Sequence, residues 1–194
     1  MKLTIQSEGR ALTIGTLPAG DAGIAATVAA IQALVDDAIS TPALRRRLQM
    51  IGGAGAFDPE IPGDAARLGA ALYKFLGDSF QFTKDRAGLE YVRTPADMLA
   101  ALDGRGKIAG DCDDMATLAA AVLASVGFLP VLVTVGRLKP GRFEHIFTAV
   151  RLRPGAPLER ASLYALDAQE RSGQGIFPNV PRVKLWGLRP SLVG

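Results

Sequence analysis

A stretch without any charged residue, Met115 to Gly136, restricts the possible folds of this chain more than any other feature. A run of this length could cross a bilayer as a helix. Gly127 and Pro130 interrupt it, however, and its composition changes there from Ala and Leu to Val-Leu-Val-Thr-Val. Because these two compositions favour a helix and a strand respectively, the stretch predicts a buried helix, a turn and a buried strand rather than a membrane span.

The pattern around this stretch predicts an α+β fold, with helices first and strands last in segregated layers. Helices are indicated by apolar residues at helical spacing and by Thr-Pro pairs that suit a helix start. They are expected at 24–39, from Thr41-Pro42 onward, at 64–76 up to Gly77, and from Thr94-Pro95 onward. Strands are expected at 80–82, 129–135, 143–152 and 162–166.

The length of 194 residues fits one domain with small additions. Alternating residues at 2–6 and 11–16 predict a β-hairpin, so we expect an N-terminal hairpin extension over 1–20. The main domain is expected over 21–172. Gly and Pro are frequent after it, which predicts a C-terminal tail over 173–194, with Val183, Leu185 and Trp186 as possible anchors.

Charge and cysteine content limit the classes of function. The net charge of +3 is too small to indicate nucleic-acid binding by itself, although ten basic and four acidic residues from Arg137 onward give that part a charge of 10 − 4 = +6. This basic part could attract an acidic partner or could simply be a solvated surface. The single cysteine excludes an internal disulfide, which suits a reducing compartment. No apolar signal stretch opens the chain, so we expect a mature start.

The cysteine lies where a loop meets the predicted uncharged helix. Residues 110–114 read Gly-Asp-Cys-Asp-Asp, which places Cys112 in or just before the first turn. Unpaired backbone N–H groups and the helix dipole favour an anion there, so we expect the pKa of the thiol to be lowered. Asp111, Asp113 and Asp114 would oppose this ionisation, and a nearby imidazolium would be needed to restore it. A lone cysteine is also often a small buried apolar residue.

Two further polar residues follow Cys112 on predicted strands. His145, the only histidine, begins a strand, and Asp167 ends the next one. If these strands pair, the carboxylate can accept a hydrogen bond from the imidazole and stabilise its cation. Taken alone, the histidine could be structural and the aspartate could simply end a strand. Together, a thiol at a helix start, a base and a carboxylate are the groups that nucleophilic catalysis needs.

The segment 110–118 resembles the nucleophile motif of the transglutaminase-like superfamily. The segments 82–85 and 94–99 resemble the part that leads into this motif in bacterial members, and Glu144-His145 and 165–167 resemble the histidine and aspartate motifs. The resemblance implies a papain-like α+β core of bacterial or phage type and a Cys112–His145–Asp167 triad that transfers acyl groups from amides. The residues after the aspartate, Ala168-Gln169, depart from the Pro or Asn of many members.

Two functional classes follow from this resemblance. The first is a peptidase, amidase or acyl transferase that works through a thioester on Cys112, with hydrolysis preferred. The second is an inert structural or binding module on the same fold, for instance in a phage particle.

Gln81 could be an oxyanion donor or a surface strand residue, and the surface position is favoured. A metal site is a third possibility, although its residues match no common zinc pattern; they would be Asp111, Cys112, Asp113, Asp114 and His145.

These interpretations carry expectations about partners. We expect a protein or peptide substrate, no cofactor and no metal, and neither a nucleic acid nor a membrane as partner. A protein assembly partner is an open alternative. The expected location is the cytoplasm, or the virion if the chain is encoded by a phage.

Overall fold

The structure is a computed structural model of the chain. It describes residues 2–7, 10–18, 20–86, 89–136, 143–169 and 174–188. The predicted hairpin turn at positions 8 and 9 and the end of the predicted tail, 189–194, lie outside these residues.

The described residues form five helices and nine strands, and the prediction of an α+β fold is confirmed. The helices are α1 (Asp21–Ser40), α2 (Pro42–Ile51), α3 (Asp64–Ser79), α4 (Pro95–Arg105) and α5 (Cys112–Ser125). The strands are β1 (Lys2–Ser7), β2 (Arg10–Thr16), β3 (Phe80–Phe82), β4 (Leu89–Arg93), β5 (Ile108–Gly110), β6 (Pro130–Gly136), β7 (His145–Arg151), β8 (Leu163–Leu166) and β9 (Arg182–Gly187).

The largest sheet has four antiparallel strands in the order β8-β7-β6-β9. Its fourth strand, β9, lies within the predicted tail 173–194 and pairs with β6 along its whole length, so this segment contains a strand that the sequence did not predict. The alternation in β9 is short and is surrounded by Gly and Pro, which concealed the strand in the sequence. The expected division of the chain at positions 20 and 172 is not tested by these pairings and stays a prediction.

The uncharged stretch forms the centre of the molecule, as predicted. Every residue of α5 from Asp113 to Ser125 is buried, and so is every residue of β6. The helix packs on one face of the large sheet, where the hydroxyl of Thr148 on β7 donates a 2.7 Å hydrogen bond to the carbonyl of Ala116. Burying a large apolar side chain contributes about 1.5–3 kcal/mol, so this layer accounts for much of the folding free energy.

The opposite face of the large sheet has its own apolar cluster. Its members come from three strands: Val131, Val133, Val135, Phe147, Ala149, Leu163 and Ala165. Phe177 and Val180, from the segment before β9, pack against this cluster and cover part of it. The sheet is therefore apolar on both faces, with helices on one side and the chain around β9 on the other.

Two smaller sheets hold the segments that lead to α5. The predicted hairpin forms as β1 and β2, and β4 adds to β1 in parallel, giving the order β2-β1-β4. β3 pairs in parallel with β5. The loop expected before Cys112 is corrected by this pairing, since residues 108–110 of that segment form β5, which ends one residue before α5.

The helix ends follow the local sequence in most places. Thr94 caps α4 by accepting a hydrogen bond from the backbone N–H of Asp97 at 3.2 Å. Gly127 follows α5 with φ +88°, a conformation that favours glycine. Helix α3 does not end at Gly77 as expected but runs to Ser79. Asp78 there pairs with Lys74 one turn earlier, which supports the extra residues.

Helix α1 is long and apolar enough to span a bilayer by length and composition alone. Half of the residues in its most apolar window are buried inside the protein, and a core helix of a folded domain passes the same test.

We expect Gly69→Ala to lower the free energy of unfolding by about 1–3 kcal/mol. A Cβ at Gly69 on α3 would lie 2.6 Å from the ring of Tyr164 on β8, so the helix and the sheet would have to separate. The matched control is Gly77→Ala on the same helix, where a Cβ meets nothing within 4 Å. It should raise stability by roughly 0.5–1 kcal/mol. Urea unfolding measures both, and equal effects of the two variants would contradict the tight contact of α3 with β8.

Candidate active site

Cys112 is the first residue of α5, and Asp111 precedes it at the N-cap position. The chain reaches this point directly from β5. A Cβ at Gly110, the last residue of β5, would lie 2.5 Å from the carboxylate of Asp114, so a side chain at position 110 would push the first turn of α5 away. The glycine before the cysteine is therefore required by the close approach of β5 to α5.

His145 and Asp167 are brought together by the pairing of β7 with β8. His145 is the first residue of β7, and Asp167 directly follows β8. Their hydrogen bond joins Nε2 to Oδ2 at 2.8 Å, and the two side chains are 11% and 1% exposed. With the carboxylate as acceptor, Nε2–H is the donor of this hydrogen bond, and Nδ1 is the nitrogen left to accept a proton. The predicted strand pairing and its hydrogen bond are both present.

The three predicted residues surround one narrow crevice, which has no room for a water molecule. Cys112 lies on its helix side and His145 and Asp167 lie on its sheet side, together with Ile146 and Gln169. Within the described part of the chain, His145 makes its side-chain hydrogen bond to Asp167 and none to the thiol. The thiol and the imidazole therefore line the same crevice without a hydrogen bond between them.

The thiol does not have the lowered pKa that its place at a helix start predicted. Burial is the largest cause that raises the pKa of Cys112, to about 12, and the negative charge of Asp111 is the second. A hydrogen bond from the backbone N–H of Ile146 acts in the other direction but is outweighed. The expectation from the helix dipole was wrong because it left out the desolvation of the sulfur. The resting thiol is neutral at physiological pH.

Burial raises the pKa of several carboxyl groups around the start of α5. The pKa of Asp113 lies well above its usual range, because the side chain is 1% exposed and faces Asp111. Burial also raises the pKa of Glu90 and Asp85, which lie beside it. These buried carboxyl groups therefore release their protons less readily than exposed ones.

Asp114 has a different set of partners. It accepts a 2.7 Å hydrogen bond from the backbone N–H of Arg93, and its other oxygen lies 3.8 Å from the guanidinium of the same residue. Burial outweighs these two contacts and raises the pKa of Asp114 to about 7. The carboxyl therefore exchanges its proton close to neutral pH while it attaches α5 to β4.

Only part of the metal site considered from the sequence is assembled. Carboxylate oxygens of Asp111, Asp113 and Asp114 lie within 4.8 Å of one another, whereas Cys112 and His145 are not in this group. Asp114 is already engaged by Arg93. An all-carboxylate set of this kind would suit a hard cation that prefers oxygen ligands rather than zinc.

An open cleft of about 670 Å³ leads from the surface to Cys112 and His145. Its wall carries Asp85, Glu90 and Asp111. Gln81, considered above as an oxyanion donor, is exposed on β3 and lies outside this wall, so the surface position is correct. The glutamine that does line the cleft is Gln169, which the sequence analysis named only as a departure from a family pattern.

Two basic side chains of β9 have partners of their own. Arg182 pairs with Asp21 at 2.7 Å and lies over the ring of Phe143 at 4.2 Å. Lys184 lies over the ring of Trp186 at 3.9 Å. These contacts support β9 and occupy the two side chains within the protein.

Comparisons with known proteins leave the family open. No protein-family model matches the chain, and no curated protein matches it. Among solved structures, a proposed cysteine protease from Cytophaga hutchinsonii is similar at 16% sequence identity and a TM-score of 0.36. The similarity covers 76% of this chain and 52% of that protein, so the chain matches about half the length of its structural neighbour.

We expect the free energy of unfolding to rise as the pH is lowered from about 7.5 to 5. Asp114 has a pKa of about 7 when folded and an ordinary value of 3.8, so below pH 7 the folded state holds a proton that the unfolded state has lost. Each such proton contributes a slope of up to about 1.4 kcal/mol per pH unit. Urea unfolding at several pH values measures this slope.

Two variants test the assignment of this slope. Asp114→Asn should make it shallower, and Asp113 should leave part of it in place because the pKa of Asp113 is raised as well. Asp103→Asn, at an exposed carboxylate on α4, should keep the slope of the wild type. A wild-type stability that falls as the pH is lowered through this window would show that these carboxyl groups are ionised in the folded protein.

Proposed function

We propose that this protein is a thiol-dependent enzyme that cleaves or transfers acyl groups from amides, with Cys112 as nucleophile, His145 as base and Asp167 as the partner that orients the base. The observation that carries the proposal is the 2.8 Å hydrogen bond from His145 to Asp167 at the edge of a crevice that Cys112 also lines. A thiol, an imidazole and a carboxylate in this arrangement are the parts of a nucleophilic triad.

The raised thiol pKa decides how the proton moves. With a pKa of about 12, Cys112 is not a thiolate before substrate arrives. Nδ1 of His145 takes the proton as the sulfur adds to the carbonyl carbon, so proton transfer accompanies the attack rather than preceding it. Asp167, which is 1% exposed, stabilises the imidazolium that results. The imidazolium then gives the proton to the leaving amine, and a thioester remains on Cys112.

Water completes the reaction as a hydrolysis in our proposal. The cleft of about 670 Å³ is open to solvent, so water can reach the thioester. An amine in place of water would make the same site a transglutaminase. The cleft is large enough for a peptide segment, which favours a protein or peptide as the substrate. Cytoplasm or virion remains the location that fits a single unpaired thiol.

The order of elements supports a papain-like core as the fold of this site. The thiol is at the start of a buried helix, the base is on a strand that packs against this helix, and the carboxylate follows the next strand of the same sheet. The resemblance of 110–118 to the transglutaminase-like nucleophile motif agrees with this placement.

A second candidate is an inert binding module on the same fold, located in a larger assembly. The observation that favours it is the neutral, partly buried thiol, which makes no hydrogen bond to His145 among the described contacts. The two candidates differ in one measurable property, which is whether His145 changes the reactivity of Cys112.

We expect iodoacetamide to label Cys112 at pH 7 at least about tenfold faster in the wild type than in His145→Ala. The imidazole can accept the thiol proton in the wild type, whereas the variant has no base beside a thiol whose pKa is raised by burial. Gln81→Ala, at an exposed position outside the cleft, should match the wild type. Equal rates in the wild type and in His145→Ala would support the binding module.

We expect Asp167→Asn to lower amide turnover by about ten- to a thousandfold while iodoacetamide still labels Cys112. The neutral amide at position 167 cannot stabilise the imidazolium by charge. Turnover is measured as release of new amino groups from a mixture of denatured proteins. Cys112→Ala defines the background, because it removes the chain's only thiol. Turnover that survives in Cys112→Ala would remove the thiol mechanism altogether.

A further inference from the structure

Gln169 has an unpartnered donor beside the thiol. Its side-chain nitrogen Nε2 is buried and has no hydrogen-bond partner among the described residues. Leaving a buried polar group unpaired destabilises a folded protein, so such a group calls for an explanation. The same side chain lines both the narrow crevice and the open cleft, in each case together with Cys112 and His145.

The backbone holds this side chain in a defined place. Gln169 follows two residues after Asp167, which is fixed by its hydrogen bond to His145. Further along the chain, the backbone N–H of Gly175 donates to the carbonyl of Ala165 at 2.9 Å, and Gln174 forms a bridge with Leu166. The chain therefore leaves β8 and returns to it, with Gln169 directed at the site from an anchored start.

We propose that the carboxamide of Gln169 donates a hydrogen bond to the substrate's carbonyl oxygen as that oxygen becomes negatively charged. This inference rests on the proposed function, since it needs Cys112 to attack a carbonyl. It assigns to the unpaired Nε2–H an acceptor that is present only when substrate is bound. A donor that is held dry and without a partner stabilises a developing charge at little reorganisation cost.

The electron movements define where this donor acts. The sulfur forms a bond to the carbonyl carbon, the π electrons of the carbonyl move to its oxygen, and the thiol proton goes to Nδ1 of His145. When the oxygen's electrons return, the bond from carbon to the amine breaks and the amine leaves with that proton. Negative charge on oxygen exists only between these steps, so a donor at Gln169 acts on the addition intermediate.

The charges around the site explain why a side-chain donor is needed. Asp111 and Glu90 line the cleft near Cys112, and the charge of Asp111 already opposes ionisation of the thiol. The negative charge of Asp111 also disfavours a negative oxygen formed there. The backbone N–H groups at the start of α5 supply the partial positive charge of a helix start, and Gln169, which also lines the cleft, adds a side-chain donor.

Two probes of Cys112 separate this role from others. Acetylation by p-nitrophenyl acetate passes through a negatively charged oxygen, whereas alkylation by iodoacetamide does not. The release of nitrophenolate gives the acetylation rate, and Cys112→Ala gives its background. We expect Gln169→Ala to slow acetylation by about ten- to a hundredfold and to leave alkylation unchanged. Gln169→Met keeps about the size of the side chain, removes the donor and should slow acetylation to a similar extent.

One control variant and three contrary outcomes complete this experiment. Gln81→Ala, at an exposed glutamine outside the cleft, should change neither rate. If Gln169→Ala slows both reactions equally, the amide stabilises the thiolate rather than the oxygen, and the inference is wrong. It is also wrong if Gln169→Ala acetylates at the wild-type rate. A wild type that acetylates no faster than Cys112→Ala would instead overturn the proposed function itself.

Discussion

The packing of α5 against the large sheet is the contact on which the candidate site depends. The helix is buried from Asp113 onward, and its first turn is held from two sides, by Thr148 of β7 and by the backbone of Arg93 on β4. Because Cys112 begins this helix and His145 begins β7, the same packing sets where the thiol lies relative to the base. The apolar core thus determines the geometry of a polar site at its edge.

This burial has an electrostatic cost that the local sequence does not reveal. A helix start normally favours negative charge, yet burial raises the pKa of Asp113, Asp114 and the Cys112 thiol. Desolvation therefore outweighs the helix dipole here. Burial favours the protonated form of the thiol, so in the proposed mechanism the sulfur loses its proton when a substrate and His145 are both in place. This arrangement therefore differs from a site with a preformed thiolate, because its sulfur keeps a proton until the reaction begins.

Much of the fold and part of the site could be predicted from local patterns. The uncharged stretch predicted its helix and strand, and Thr94 predicted a helix cap. The positions of Cys112, His145 and Asp167 on a helix start and two successive predicted strands indicated the pairing that joins the last two. The strand β9 could not be predicted, since its pairing with β6 is set by contacts far apart in the chain. Gln169 and the raised thiol pKa were missed for the same reason, because both depend on what surrounds a side chain in three dimensions.

The late position of β9 has a consequence for how the chain folds during synthesis. β6 is the buried strand that pairs with β7 on one side and with β9 on the other, and more than forty residues separate the end of β6 from the start of β9. While the ribosome is still making that interval, the Val-rich edge of β6 has unpaired backbone groups. Such an edge can pair with another chain. A nascent polypeptide of this sequence therefore passes through a period in which aggregation competes with closure of its central sheet.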